Sequence, residues 1–342
     1  MLAGRLRTCL VAVCVMLVAG SGASGTGAAT ALPAHVYAPY FETWTTDSIS
    51  SIAQQSGSRY FTLAFLETLS KTSCTLGWNG SRTDLVSGGR YLTDIGTLRS
   101  MGGDVIPSFG GWSADQGGTE IADSCKDVNA IAAAYEAVIT KYDVARLDMD
   151  VEGRSLNRPA GIDRRNKALK IVQDWATTQG RPFQVSYTLP TSASGLEPSG
   201  VAVLQNAIDN GTNVDVVNIM TFDYYDRVTT DMGGAAISAA NGLLGQLATL
   251  YPHKTAAQRA AMVGITLMPG LDDYPRRTES TSVADAQSVH AFAHDNGFNT
   301  LSIWAVQRDN GGCPGTTGSN SCSGIVQDTW AFSHELNPFT GA

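Results

Sequence analysis

Three carboxylates at alternate positions, Asp148, Asp150 and Glu152, fall within a run that reads as a β-strand, 145–152. Side chains alternate along a strand, so all three point one way, each about 6–7 Å from the next. Like charges at that spacing repel, which raises at least one pKa and suits a general acid. Carboxylates also ligate hard cations, and Gly153 stands at the sixth place of a calcium-like loop. The twelfth place is Pro159 rather than Glu, however, and the string lies in a strand. A metal at the mouth of the fold and carboxylates that merely cap loops are the other readings. General-acid chemistry is the expectation, with no metal and no cofactor.

Such a row needs a scaffold that gathers strand ends. Eight β-rich runs lie at 35–40, 60–66, 104–111, 145–152, 183–190, 214–224, 262–270 and 300–309. Most are near-continuous apolar runs, as in parallel strands covered on both faces. Amphipathic stretches at 128–142, 164–178, 199–210 and 283–296 lie between them, and Gly180, Gly211 and Gly297 follow as helix stops. The pattern is α/β. Eight βα units predict a (β/α)8 TIM barrel, whose sites lie at the carboxyl ends of the strands. A doubly wound open sheet shares the local pattern and differs only in the count. No linker or repeat appears after residue 34, so one domain is expected over 32–342.

The 342 residues are 43% hydrophobic and only 16% charged, which excludes a disordered chain. Lys and Arg total 23 against 31 Asp and Glu, a formal charge of −8, so nucleic acid and anionic membrane are poor partners. Arg5 and Arg7 precede the uncharged run Cys9 to Gly20, and small residues from Ala23 to Ala31 offer cleavage sites. The run is shorter than the about 20 residues of a membrane span. Residues 1–31 therefore read as a secretory signal peptide, and a secreted, extracellular monomer is expected. Setting aside Cys9 and Cys14 leaves four cysteines and three possible connectivities. Cys313 and Cys322 bracket a Gly/Ser/Thr-rich loop, so the expected bridges are Cys313–Cys322 and Cys74–Cys125. Zinc is the poorer reading, since no pair has CxxC spacing.

Ser108-Phe109-Gly110-Gly111, followed by Leu147-Asp148-Met149-Asp150-Val151-Glu152, resembles the third- and fourth-strand motifs of family 18 glycoside hydrolases, the chitinase family. The sixth run, Met220-Thr221-Phe222-Asp223, is similar to that family's Met-x-Tyr-Asp, and Trp304 on the eighth stands where the family has a tryptophan under the sugar. The likeness extends over about 35–335, nearest to small secreted bacterial chitinases with a bare barrel. Ala145 replaces the first Asp of the fourth-strand motif. Phe222 replaces a tyrosine whose hydroxyl holds the acetamido group, and Tyr224, two places on, is the expected substitute.

The resemblance implies a retaining, substrate-assisted hydrolysis of chitin or N-acetylglucosamine oligosaccharides. Glu152 would protonate the glycosidic oxygen, Asp150 would orient the acetamido group, and Asp148 would share a proton with Asp150. Trp304 would form the floor of the sugar site, and Asp223 and Met220 would line it. Ser108, Gly110 and Gly111 would act through the backbone, letting strand three approach the acids. Trp44, Trp78 and Trp112 are candidates for further sugar platforms. About 30 residues between runs seven and eight leave no room for the α+β insertion that walls a deep groove, which predicts an open cleft and endo cutting. Endo-β-N-acetylglucosaminidase or peptidoglycan hydrolysis is the alternative within the family. A carbohydrate-binding or inhibitor protein on a catalytically weak barrel is the non-enzyme alternative, and the presence of Glu152 argues against it.

Overall fold

The computed structural model describes Met1 and residues 30–273, 279–316 and 320–342. The expected signal peptide, 1–31, lies almost wholly outside the described residues. Eight parallel strands build the central sheet: β1 in two segments, Val36–Tyr37 and Tyr40–Glu42, then β2 (Tyr60–Thr68), β3 (Asp104–Gly110) and β4 (Arg146–Asp150). β5 (Gln184–Ser192), β6 (Val216–Met220), β7 (Val263–Leu267) and β8 (Thr300–Ile303) complete it. Ala38 and Pro39 interrupt β1. The first segment pairs with β8 and the second with β2, so the sheet returns to its start and closes. This is the (β/α)8 barrel read from the sequence.

Helices cover the outside. Val128–Tyr142 and Val283–Asn296 have the expected bounds, and Pro159–Thr178 and Pro198–Asp209 begin near theirs with a proline in the first turn. The 19-residue helix Met232–Leu250 escaped the sequence reading. Its small residues, Gly233, Gly234, Ala235 and Ala236 among them, give no strong apolar stripe, yet Leu243 and Leu247 bury fully. Cys74–Cys125 and Cys313–Cys322 are both bridged, with Cα atoms 4.8 and 5.9 Å apart, as expected. The β7–β8 connection holds, among its described residues, the paired strands Gly270–Leu271 and Ser280–Thr281 and the helix Val283–Asn296.

Alternation along each strand sorts two environments. On β4, Leu147 and Met149 join the core shared with the helices, whereas Arg146, Asp148 and Asp150 face the barrel interior. On β5, Val185, Tyr187 and Leu189 face out while Ser186 and Thr188 face in. The interior is therefore polar. Arg146 closes its floor, bonded to Gln184, Asn299 and Thr300.

Candidate active site

Asp148 is buried at the centre of the barrel. Its Oδ2 accepts hydrogen bonds from Tyr40 Oη at 2.9 Å and Ser108 Oγ at 2.7 Å. Its Oδ1 accepts from Ser186 Oγ and Thr188 Oγ1, each at 2.8 Å. Burial raises its pKa and the four hydroxyls pull it part of the way back. Four donors fill a carboxylate's lone pairs, which offsets much of the cost of burying it. Ser108 therefore acts through its hydroxyl rather than its backbone, because it lies opposite Asp148 in register on the inner face.

Asp150 stands one step nearer the mouth, and its carboxyl shares a hydrogen bond with that of Glu152. Burial, and then the charges of Glu152, Asp148 and Asp115, push Asp150 well above the ordinary range. Burial lifts Glu152 to about 7, against the pull of the Trp112 N–H and of Asp150. Two carboxyls in contact resist joint ionisation, so the pair retains a proton towards neutral pH. The hydrogen-bonded partner of Asp150 is thus Glu152, and Asp148 acts on it through charge.

Glycine is required beside these acids at two positions. Gly110 and Gly111 adopt φ of 97° and 81°, where side chains are disfavoured. A Cβ on Gly110 would lie 2.1 Å from the Asp150 carbonyl oxygen, and one on Gly111 would lie 2.5 Å from the Phe65 ring. This is the close approach of strand three expected from the sequence.

The acids open into a cleft of about 870 Å³ at the carboxyl face of the barrel. Asp150, Glu152, Met220, Asp223 and Trp304 line it together. Trp304 is half-buried and stacks on Phe65, with centroids 5.5 Å apart and planes at 15°. Tyr40 and Trp44 pack against it at 5.4 and 6.1 Å. Trp44 and Trp112 are exposed at the rim, at 45% and 61%. Trp78 is not a platform: it is fully buried, and its Nε1 donates to Tyr142 Oη at 2.9 Å.

Beyond β6 the chain turns sharply, with Asp223 and Tyr225 at φ of 51° and 56°. Phe222, Asp223 and Tyr225 reach the cleft wall, but Tyr224 does not. Its hydroxyl is buried without a partner, and Glu279 accepts its backbone N–H at 2.8 Å and that of Tyr225 at 3.0 Å. The positive φ values turn alternate residues off the strand pattern, so the expected substitution by Tyr224 fails and Tyr225 takes the cleft position. The Tyr225 hydroxyl donates to Asp223. Burial, Asp273 and Glu279 raise Asp223 to about 7. Among the described residues no cluster of His, Cys, Asp or Glu could hold a metal, and no helix is long and apolar enough to cross a membrane.

Tyr40, Ser186, Thr188 and Asp115 were missed from the sequence. The alternating hydroxyls at 186 and 188 were a legible sign of a polar inner face. Tyr40 and Asp115 carried no local sign, since they reach the acids only through tertiary contacts.

A closed (β/α)8 barrel with a carboxylate row at its carboxyl face is the architecture of a barrel enzyme. Residues 36–274 match the family described as Glycosyl hydrolases family 18, and the chain belongs to that family. It is 33% identical over 323 residues to a probable bifunctional chitinase/lysozyme of Escherichia coli (strain K12), covering 91% of this chain and 35% of that protein. It is also 33% identical over 290 residues to endochitinase 11 of Metarhizium anisopliae, covering 82% of this chain and 53% of the relative. The chain thus spans about a third and about half of these relatives' lengths. Among solved structures, the catalytic domain of the hyperthermophilic chitinase from Pyrococcus furiosus superposes with a TM-score of 0.80 at 30% identity, covering 91% of this chain and 96% of that one. Catalytic-site mutants of a domain of the P. furiosus chitinase, 29% identical with a TM-score of 0.80 over 91% of this chain and 96% of theirs, were solved with chito-oligosaccharides.

Proposed function

We propose that the protein is a secreted endochitinase that hydrolyses β-1,4 bonds between N-acetylglucosamine units with retention. The observation that carries this reading is the Asp150–Glu152 carboxyl pair facing the cleft beside the Trp304 floor. One proton held between two acids is what a substrate-assisted hydrolysis needs. When the acetamido N–H of the sugar demands an acceptor, the proton lies on Glu152 and Asp150 accepts that N–H as an anion.

Glu152 then protonates the glycosidic oxygen as the bond to the anomeric carbon breaks. The acetamido oxygen of the same sugar attacks that carbon and forms an oxazolinium ion. This nucleophile is tethered, so it reacts at a high effective concentration, and no enzyme carboxylate need attack. Asp150 balances the developing positive charge. Glu152, now ionised, takes a proton from water, which opens the ring on the face the leaving group occupied. Trp304 offers a flat apolar face to the sugar's C–H groups. The short β7–β8 connection and the exposed Trp44 and Trp112 support an open cleft and internal cutting.

The test is turnover of a chitin-oligomer ladder, with anomeric analysis of products, by the native protein and by Glu152→Gln. Native protein should release β-anomers from internal bonds, and E152Q should bind the oligomers without cleaving them. A fully de-acetylated polymer should resist, since it lacks the internal nucleophile. Near-native activity in E152Q overturns the mechanism, and disaccharides released only from chain ends overturn the endo mode. Peptidoglycan belongs in the same assay, because the E. coli relative's name pairs chitinase with lysozyme.

A further inference from the structure

The carboxyl ends of β3 and β4 are joined by a reciprocal clasp. Gly111 N–H donates to the Asp150 carbonyl at 3.1 Å, and Trp112 N–H donates to the Glu152 carboxylate. In return the backbone N–H of Glu152 donates to Asp115 Oδ2. Asp115 lies on the short helix Trp112–Gly117 that follows β3, with no solvent exposure. Its other oxygen, Oδ1, is buried without a partner.

Glu152 and Asp150 face Asp115 on one side, and the ion pair of Glu120 with Arg165, 3.0 Å apart, on the other. Burial, and then the charge of Glu120, hold the Asp115 carboxyl well above the ordinary range, which favours a neutral acceptor over an anion. Its contribution is geometric: it holds the Glu152 backbone N–H just beyond β4 and so fixes where that residue's carboxyl stands.

We propose that Asp115 is a positioning residue that, by anchoring the Glu152 backbone, fixes the place of the Glu152 carboxyl in the cleft. The inference rests on Glu152 being the general acid. Asp115→Asn keeps an oxygen for the Glu152 N–H, whereas Asp115→Ala removes it.

The experiment measures kcat and KM on a chromogenic N-acetylglucosamine oligosaccharide for D115A and D115N, with E152Q measured alongside. D115A should lose about 10–100-fold in kcat, since a misplaced acid is costly. Its KM should stay within about twofold of the native value, as no substrate contact is lost. D115N keeps the acceptor and should hold kcat within about threefold of native. Should D115A fail to fold, Asp115→Val also lacks the acceptor and carries the same expectation. A native kcat in D115A, or in its valine substitute, overturns the proposal, as does a D115N no more active than D115A. An active E152Q overturns the underlying assignment of the acid instead, so the two failures are told apart.

Discussion

The carboxyls of Asp150 and Glu152, two residues apart on the same chain, share a hydrogen bond. Each acid alone would be an expensive buried charge; in contact they favour one proton held between them. Their position at the end of β4 aims that proton into the cleft, with Asp148 fixed beneath by four hydroxyls.

The first consequence is a pH limit on turnover. Burial raises Glu152, the proposed acid, to about 7, so its proton is lost as the pH climbs through that value. Native kcat/KM is expected to fall about tenfold per pH unit on the alkaline side of neutrality. A plateau extending to pH 9 would contradict the assignment of the acid.

Glu42, at the end of β1, makes a separate prediction about stability. It is fully buried, neither carboxylate oxygen has a partner, and burial raises its pKa to about 8 despite the nearby Arg308. Between its ordinary value of 4.5 and about 8, the folded chain holds a proton there that the unfolded chain has released. Stability linked to this group is therefore complete below that window and declines as the pH rises through it. Glu42→Gln removes the titration. Its Tm should gain progressively on the native protein between pH 5 and pH 8.5, as followed by thermal denaturation.

At Gly110, Ala would put a Cβ 2.1 Å from the Asp150 carbonyl in a backbone conformation of φ 97°. Either the β3–β4 pairing at Asp150 opens or the chain loses its turn. Gly110→Ala is expected to cost about 3 kcal/mol or more and to abolish turnover. Denaturant unfolding checks the first and the oligomer assay the second. A stable, active variant would show that the strands need not approach so closely.

Trp304→Ala removes a ring packed on Phe65, Tyr40 and Trp44. Its kcat/KM on oligosaccharides should fall at least about tenfold, the equivalent of 1.4 kcal/mol, and Trp304→Phe should recover part of it. Trp78→Phe, in contrast, should lower stability through the lost bond to Tyr142 by about 1 kcal/mol while leaving KM unchanged. The paired measurements separate a sugar platform from a core tryptophan.

The two bridges differ in the chain they close, with sequence separations of 51 and 9. Loop-closure entropy predicts that losing Cys74–Cys125 costs about 4 kcal/mol and losing Cys313–Cys322 about 2.5 kcal/mol. Double Ser variants compared by denaturant unfolding test the order. Equal losses would argue against an entropic origin.

Much of this protein was legible in the linear chain. Strand runs, helix stops and turn glycines are local signals, because backbone propensity and side-chain period act over a few residues. They suffice for the eight strands and for the row Asp148, Asp150 and Glu152 on one strand face. Helix Met232–Leu250 was lost because its small residues carry no periodic stripe. What only the tertiary structure decided is which distant groups meet the acids. Tyr40 reaches Asp148 across 108 residues of chain, Asp115 reaches Glu152 across 37, and the turn after β6 brings Tyr225 rather than Tyr224 to the cleft. Those contacts depend on barrel closure, register and positive-φ turns, and none of these leaves a mark in the identity of neighbouring residues. Proton affinity belongs to the same category, since it arises from burial and from charges brought together only by folding.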